Sequence, residues 1–261
     1  MHLKPKKYLG QNFLTDKNIQ RKIVYFCGLT PSDVVFEIGA GRGELTELIA
    51  KTAKKVYALE IDSNLCDILK ENLKKFKNIK IINKDILKFD FKSYFAKSKN
   101  KLYVIGNIPY YITTPIIGHL LKYRSKINTI FISVQKEFAR RMCATCGSKD
   151  FGALSCFIQY YTQPEILFDI KKNCFFPTPK IDSSFVQLKL TQKPQVKVKE
   201  ERLFFKIIRC AFNQRRKTLR NSLKGIVSPK KLNRFFEKYG IDINIRPEDL
   251  ALNDFANLAN I

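Results

Sequence analysis

Three glycines directly after a short apolar run are the first residues of this sequence that could bind a ligand. Val34–Ile38 reads as a buried strand, and Gly39, Gly41 and Gly43 follow it. Glycine lets the backbone turn sharply and lets a ligand approach without a Cβ clash. The spacing is not the G-x-G-x-x-G of dinucleotide-binding proteins, and no Walker lysine follows, so a nucleoside triphosphate is disfavoured. Taken alone, the loop is also compatible with a purely structural turn.

Two carboxylates at the ends of the next apolar runs sharpen the prediction. Glu60 ends the second predicted strand, roughly 20 residues after the glycines, where it can accept hydrogen bonds from ribose hydroxyls. Asp85 follows the third and precedes Ile86, a pair suited to an adenine amino group and the face of its ring. One such acid alone is unremarkable as a solvated carboxylate. Together with the glycines they indicate an adenosine-containing ligand with little need for phosphate contacts, and S-adenosylmethionine fits better than NAD.

The segment Asn107-Ile108-Pro109-Tyr110 follows the fourth predicted strand and suits chemistry on an aromatic amine. The amino nitrogen of adenine is a poor nucleophile because its lone pair is delocalised into the ring. The side-chain oxygen of Asn107 and the carbonyl of Ile108 can accept its two protons, while Pro109 stiffens the turn. Tyr110 can stack on an unpaired base. The alternative for this segment alone is an ordinary turn between a strand and a loop.

Strands that alternate with helices are needed to bring these residues together. The predicted strands are 34–38, 56–60, 79–82, 103–105 and 130–134, followed by closing strands at 166–168 and 184–190. Helical apolar spacing between the early strands predicts an α/β fold with a parallel sheet covered on both faces. Ligands of such sheets bind beyond the carboxyl ends of the strands, which is where the glycines, the acids and the asparagine lie.

A basic helical segment follows a linker-like stretch at 191–195, so we predict one domain over 1–190 and a second over 191–261. Between Arg202 and Arg234 there are 11 Lys or Arg and no Asp or Glu, and the net charge of the chain is +25. A charge of this size favours a polyanionic partner, although part of it can be solvated surface lysine. The residues predicted to contact RNA, rather than to form a solvated helical cap, are Arg209, Arg215, Arg216, Lys217 and Arg220.

Composition excludes several other classes. The seven cysteines are scattered, and Cys143 and Cys146 alone have a C-x-x-C spacing without two further ligands, so we expect no metal site. We interpret this pair as small apolar residues on one helical turn rather than a redox pair. No apolar run is long enough to span a membrane, and the N-terminus lacks the apolar segment of a signal peptide. We expect a cytoplasmic protein, and nothing in the sequence demands more than a monomer.

These motifs, in this order, resemble the ribosomal RNA small-subunit adenine N6,N6-dimethyltransferases of the KsgA type. The resemblance spans nearly the whole chain. It is carried by residues 11–14, 37–43, 60–62, 83–86, 107–110, 134–137, 175–183 and 212–217. It implies a Rossmann-like class I methyltransferase sheet with a small C-terminal helical domain, and S-adenosylmethionine as the cofactor.

The resemblance also implies roles for individual residues. The implied cofactor-binding residues are Gln11, Asn12, Leu14, Gly39, Gly41, Glu60, Asp85, Ile86 and Asn107. Those before residue 15 are expected to close over the methionine end, Glu60 to hold the ribose, and Asp85 with Ile86 to hold the adenine. The implied catalytic residues are Asn107, Ile108, Pro109, Tyr110 and Phe175, with Phe175 stacking on the target base opposite Tyr110.

The implied substrate is a pair of adjacent adenines near the 3′ end of small-subunit (16S) ribosomal RNA, each methylated twice in a late assembly intermediate. A related enzyme of the antibiotic-resistance type, acting on large-subunit RNA, is one alternative, but residues 246–250 and 255–260 resemble the small-subunit branch more. A non-catalytic RNA-binding or assembly factor is another. The intact segment from Asn107 to Tyr110 is evidence against it, because a binding module does not need to activate an amine.

Overall fold

The computed structural model describes residues 5–6, 9–96, 98, 101–214 and 216–261, which fall into two compact units. The first comprises Met1–Ala139 and Glu165–Leu190, and the second comprises Arg140–Pro164 and Thr191–Ile261. The predicted domains and these units share the boundary after Leu190, but residues 140–164 group with the C-terminal unit. The division into a catalytic domain over 1–190 and a helical domain over 191–261 stays a prediction.

In the part of the chain that the structure describes, nine strands form one two-stranded ribbon and one seven-stranded sheet. In chain order they are β1 (Phe13–Leu14), β2 (Val34–Ile38), β3 (Lys55–Glu60), β4 (Ile79–Asn83), β5 (Leu102–Asn107), β6 (Ile127–Gln135), β7 (Thr162–Ile170), β8 (Phe175–Phe176) and β9 (Ser183–Leu190). The large sheet has the order β4-β3-β2-β5-β6-β9-β7, and β1 pairs with β8 in a two-stranded ribbon. The five neighbouring strands β4, β3, β2, β5 and β6 pair in parallel, whereas β6 and β9 are antiparallel. The predicted α/β class with a mostly parallel sheet is confirmed.

The central strands are apolar on both faces because both faces are covered. Val35 and Phe36 of β2 and Val104 and Ile105 of β5 have no solvent exposure, which is the composition of a parallel strand between two helical layers. In register, Ile38 at the end of β2 is opposite Gly106 of β5. This pairing places the segments that leave β2 and β5 side by side at one edge of the sheet.

Among the described residues, five helices lie within the first unit and a sixth is divided equally between the two units. They are α1 (Lys17–Cys27), α2 (Glu44–Ala50), α3 (Ser63–Asn72), α4 (Phe91–Tyr94), α5 (Thr113–Lys122) and α6 (Lys136–Cys143), the last of which crosses into the second unit. Local caps fix where the helices near the sheet edge begin. The Asp16 carboxylate accepts from the backbone of Asn18 and Ile19 at the start of α1, and Asp62 accepts from Asn64 at the start of α3.

The second unit is helical. Its further helices are α7 (Ala153–Tyr161), α8 (Glu201–Phe212), α9 (Leu219–Ser222), α10 (Pro229–Tyr239) and α11 (Leu252–Asn260). Tyr160 of α7 packs on Phe204 of α8 with 5.1 Å between ring centroids, and Phe212 packs on Phe255 of α11 at 5.7 Å. The contact between α7 and α8 explains why residues 140–164 group with the C-terminal helices. Within the described ranges, no helix has the length and apolar character needed to cross a bilayer.

Candidate active site

A cleft of about 1150 Å³, including its solvent-open part, lies at the carboxyl ends of the parallel strands of the first unit. Segments that are far apart in the chain line it, including the N-terminal stretch around residues 9–14, the glycine loop after β2 and the loop after β5. The predicted site residues among its lining are Gln11, Asn12, Leu14, Gly39, Gly41, Glu60, Asp85, Ile86, Asn107, Ile108, Pro109 and Tyr110. The structure therefore brings every predicted cofactor-binding residue to one place, although their individual roles stay predictions.

The glycine loop has a backbone conformation and close contacts that residues with a side chain would not fit. Gly41 has φ of +59° and Gly43 has φ of +92°, both in the left-handed region. A Cβ on Gly41 would lie 3.2 Å from the Phe13 ring, and one on Gly43 would lie 3.0 Å from the side chains of Leu69 and Leu73. The loop can thus lie under the N-terminal segment and against α3 while its backbone lines the cleft.

Glu60, at the end of β3, is held in place by backbone amides. Its Oε2 accepts from the amide of Gly41 at 2.9 Å, and its Oε1 accepts from the amide of Asp62 at 3.0 Å. The residue is buried, and burial raises the pKa of its carboxyl above the ordinary value, while these backbone donors oppose the rise. Each oxygen keeps a further lone pair, so the fixed carboxylate can still accept from ribose hydroxyls.

Glu37, the fourth residue of β2, is a cleft residue that the sequence prediction missed. It is buried, and its Oε2 has no hydrogen-bond partner among the described residues. Burial raises the pKa of this carboxyl to about 8; the Thr46 side chain opposes the rise, while the charges of Glu60 and Glu44 add to it. An acid inside an otherwise apolar strand, two residues before the first glycine, was the available signal. Its free oxygen suits an ammonium group, and S-adenosylmethionine carries one on its methionine part.

Asp85 and Ile86 lie where β4 ends. One carboxylate oxygen of Asp85 accepts from the amide of Leu87 at 2.9 Å, which fixes the side chain and leaves its second oxygen for a ligand. Ile86 is buried beside it, and half-exposed Ile61 also lines the cleft. A carboxylate next to two apolar side chains fits an adenine ring, whose amino group donates and whose faces are apolar.

Asn107 ends β5 with its amide oriented by the N-terminal segment. Its Nδ2 donates to the backbone carbonyl of Asn12 at 2.7 Å, so Oδ1 is the atom left to accept a hydrogen bond from a ligand. Tyr110 is fixed as well, because its hydroxyl hydrogen-bonds the Oγ of buried Ser183 at 2.6 Å. Between them Pro109 has φ of −60°, which continues the extended turn. The predicted amine-activating segment is thus positioned at both ends.

The N-terminal segment is anchored beside these groups. Lys6 forms an ion pair with Asp62 at 2.8 Å, and its backbone amide donates to the side chain of Gln11 at 2.8 Å. Further on, the buried Gln20 side chain donates to the carbonyl of Leu14 at 2.7 Å. These contacts hold the segment along the cleft. The role of Gln11, Asn12 and Leu14 over the methionine end of the cofactor stays a prediction.

Phe175, the predicted second base-stacking residue, lies in the core of the first unit. It is 2% exposed, packs in the core with Leu14, its partner across the ribbon, and is not among the described residues that line the cleft. Its neighbour Phe176 is 54% exposed and is paired with Phe13, which does line the cleft. Alternate residues of a strand face opposite sides, so the core takes one phenylalanine and not the other. The stacking role of Phe175 stays a prediction.

The predicted RNA-contacting residues belong to the second unit. Arg209, Arg216, Lys217 and Arg220 are exposed, and Arg215 lies outside the described residues. Arg220 donates to Asn233 at 2.7 Å and its guanidinium lies 5.6 Å from the ring centroid of Phe236, which holds it against α10. Across the part of the chain that the structure describes, no group of three or more His, Cys, Asp or Glu side chains could hold a metal ion.

Comparison with known proteins connects this geometry to an enzyme family. The family model described as ribosomal RNA adenine dimethylase matches residues 2–261. The chain belongs to this family. A relative from Caldanaerobacter subterraneus subsp. tengcongensis, named ribosomal RNA small subunit methyltransferase A, is 45% identical over 261 residues, which are 99% of this chain and 97% of that protein. A protein of the same name from Clostridium botulinum is 41% identical over 255 residues, 97% and 92% of the two chains.

Solved structures agree. A dimethyladenosine transferase from Plasmodium falciparum matches with a TM-score of 0.78 at 26% identity, covering 94% of this chain and 95% of that one. The 23S rRNA methyltransferase ErmE matches with a TM-score of 0.74 at 24% identity, covering 95% and 100%, and this likeness concerns the fold alone. The predicted resemblance, enzyme class and methyl donor are confirmed by the family membership.

Proposed function

We propose that this chain transfers methyl groups from S-adenosylmethionine to the N6 atoms of two adjacent adenines near the 3′ end of small-subunit ribosomal RNA, as part of the assembly of that subunit. The observation that carries the proposal is the oriented amide of Asn107, whose Nδ2 is held by the carbonyl of Asn12 inside the cleft that also contains the adenosine-type residues. An amide oxygen fixed beside a methyl-donor site is what an amino group needs and what a simple RNA-binding module does not.

The cofactor set fits the parts of S-adenosylmethionine one by one. The fixed carboxylate of Glu60 is suited to the ribose hydroxyls, and Asp85 with Ile86 is suited to the adenine. The unpartnered oxygen of Glu37 is suited to the ammonium of the methionine part. Gly39 and Gly41 leave room for the part of the cofactor that joins the ribose to the ammonium group, because neither glycine has a Cβ. The bound cofactor supplies an activated methyl group on a sulfonium.

The loop after β5 would raise the reactivity of the target nitrogen. With its Nδ2 donating to Asn12, Asn107 presents Oδ1 to one N6 proton, and the carbonyl of Ile108 can accept the other. These two acceptors draw the amino group toward a tetrahedral geometry and concentrate its lone pair. Tyr110, fixed through Ser183, can stack on the base once it has left its loop. Because the methyl group is already activated, the site needs no strong general base.

The names of the full-length relatives favour the small subunit, since those named are small-subunit methyltransferases at 41% and 45% identity. The exposed basic residues Arg209, Arg216, Lys217 and Arg220 support a contact of the C-terminal unit with that RNA, because a phosphate contact by Lys or Arg releases condensed counterions. Such a substrate agrees with action in the cytoplasm, and a monomer is sufficient for it.

The test incubates the protein and labelled S-adenosylmethionine with separate small and large ribosomal subunits that lack the modification, and then identifies the labelled nucleoside. Asn107→Ala is assayed in parallel, with cofactor binding measured for both proteins. Dimethyladenine in small-subunit RNA, lost in the variant, supports the proposal. Label in large-subunit RNA would favour the antibiotic-resistance type of enzyme instead. Cofactor binding with no label on either subunit would favour an assembly factor without catalysis.

A further inference from the structure

Tyr111 is an aromatic residue of the cleft that neither the proposed cofactor site nor the proposed target-base contacts use. It follows Tyr110 directly and lines the same cleft, yet it is 62% exposed, whereas Tyr110 is half-buried. An exposed aromatic ring leaves apolar surface in contact with water, and covering that surface would be favourable. The ring lies at the mouth of the cleft, on the loop that carries Asn107, where a base of single-stranded RNA can reach it.

The ring of Tyr111 rests against a backbone that has been left without a side chain. A Cβ on Gly10 would lie 2.8 Å from Cε1 of Tyr111 and 3.3 Å from Cβ of Pro109, so this position has room for glycine alone. Gly10 also has φ of +59°, which disfavours other residues. The N-terminal segment therefore supports the tyrosine ring closely on one side, while much of the ring's surface faces solvent. This is the geometry of a platform.

A nucleotide next to an extruded adenine needs such a platform. When the target base leaves its stack, the neighbouring base loses a stacking partner, and this loss is part of the cost of base flipping. Aromatic rings that stack on unpaired bases recover affinity without reading sequence, and one stacked base corresponds to about tenfold or more. Tyr110 and Tyr111 are consecutive, so two aromatic side chains leave the backbone within one peptide unit of each other.

We propose that Tyr111 forms a stacking subsite for the nucleotide adjacent to the target adenine, separate from the contacts of Tyr110 to the target itself. The inference rests on the proposed function, because it requires a single-stranded RNA segment at the cleft. Because the two target adenines are adjacent, one of them occupies this subsite while the other is methylated. The subsite thereby favours adenine pairs in which the neighbour is present and able to stack.

The test compares Tyr111→Ala, Tyr111→Leu and Tyr111→Phe with the wild-type protein. Tyr25→Ala is the matched control, since Tyr25 is 80% exposed on α1 and lies outside the cleft lining. Affinity is measured for small subunits reconstituted with ribosomal RNA that is intact, or that carries an abasic residue in place of one of the two adenines. Affinity for S-adenosylhomocysteine and wild-type methylation of the intact subunits are measured alongside.

We expect Tyr111→Ala and Tyr111→Leu to weaken binding of intact subunits about tenfold and to change binding of the abasic subunits less than twofold. Tyr111→Phe keeps the ring and is expected to bind like the wild type, as is the Tyr25 control. An equal loss on intact and abasic subunits, or no loss on either, overturns the stacking subsite. If the wild type labels no adenine in the intact subunits, the proposed function fails and this inference fails with it. If the wild type labels adenine normally and the Tyr111 variants bind like the wild type, the subsite alone is overturned.

Discussion

Replacing Glu37 with glutamine should make the protein more stable in alkaline solution and should remove a pH dependence. The pKa of Glu37 rises from an ordinary 4.5 to about 8 because the carboxyl is buried, a difference of about 3.5. A carboxyl whose pKa is raised in the folded state stabilises that state below its unfolded pKa, and this contribution is lost as pH rises toward 8. The total corresponds to about 5 kcal/mol, of which about 3 kcal/mol is lost between pH 6 and pH 9.

Urea unfolding at pH 6 and pH 9 measures this contribution directly. The free energy of unfolding of the wild type should fall by about 3 kcal/mol more between these two pH values than that of Glu37→Gln. Glu71→Gln is the control, because Glu71 is an exposed carboxylate paired with Lys74 and should leave the wild-type dependence unchanged. Parallel pH dependences of the wild type and Glu37→Gln would refute the assignment of a buried, neutral carboxyl.

The same group links cofactor binding to protons. A cation bound beside Glu37 favours its charged form, so affinity for S-adenosylhomocysteine should rise with pH between about 6 and 8, by up to about tenfold per pH unit. Titration calorimetry in two buffers of different ionisation enthalpy should detect up to one proton released on binding at pH 7. Glu37→Gln should bind more weakly at pH 8 and release no proton. Release of a proton by this variant would show that another group is responsible.

Three further predictions concern other parts of the molecule. Gly41→Ala should lower the free energy of unfolding by about 1–2 kcal/mol, because φ of +59° disfavours alanine. It should also weaken binding of S-adenosylhomocysteine, measured by calorimetry. An unchanged melting temperature in thermal unfolding would contradict the first expectation. Ser183→Ala removes the hydrogen-bond partner of the Tyr110 hydroxyl. It should lower kcat for methylation severalfold and leave the dissociation constant of S-adenosylhomocysteine unchanged. A change in cofactor affinity alone would argue against a role in placing the base. Exchanging Arg216 and Lys217 for glutamine should weaken binding of the small subunit. The slope of log K against log salt concentration, measured by filter binding, should become shallower by about one per lost contact. An identical slope would show that these two residues do not contact the RNA.

Much of the site was predictable because its residues stand at the ends of strands. The strand that ends at Ile38 and the one that ends at Asn107 are recognisable as apolar runs, and parallel sheets bring such ends to one edge. The predicted cofactor set and the segment from Asn107 to Tyr110 accordingly line one cleft. Local sequence is sufficient here, since each motif adjoins its own strand.

What could not be predicted depends on pairings between distant segments. Whether Phe175 or Phe176 enters the core is decided by the register of β8 against β1, about 160 residues earlier, and a shift of one residue would exchange the two. The bond from Asn107 to Asn12 likewise joins residues 95 positions apart. Glu37 was overlooked because its significance lies in an unpaired oxygen, and a pattern of residue types does not show which hydrogen bonds a folded chain leaves unmade.

The register of β2 and β5 has a consequence for how this enzyme tolerates change. Ile38 and Gly106 are opposite each other, so the glycine loop and the Asn107 loop leave neighbouring strands whose separation of about 4.8 Å is set by backbone hydrogen bonds. In the proposed function the glycine loop holds the methyl donor and the Asn107 loop holds the methyl acceptor. Their spacing would then be set by the main chain, and side-chain substitutions would alter the binding of either substrate without changing that spacing. Only an insertion or deletion within one of these two strands would displace one loop against the other.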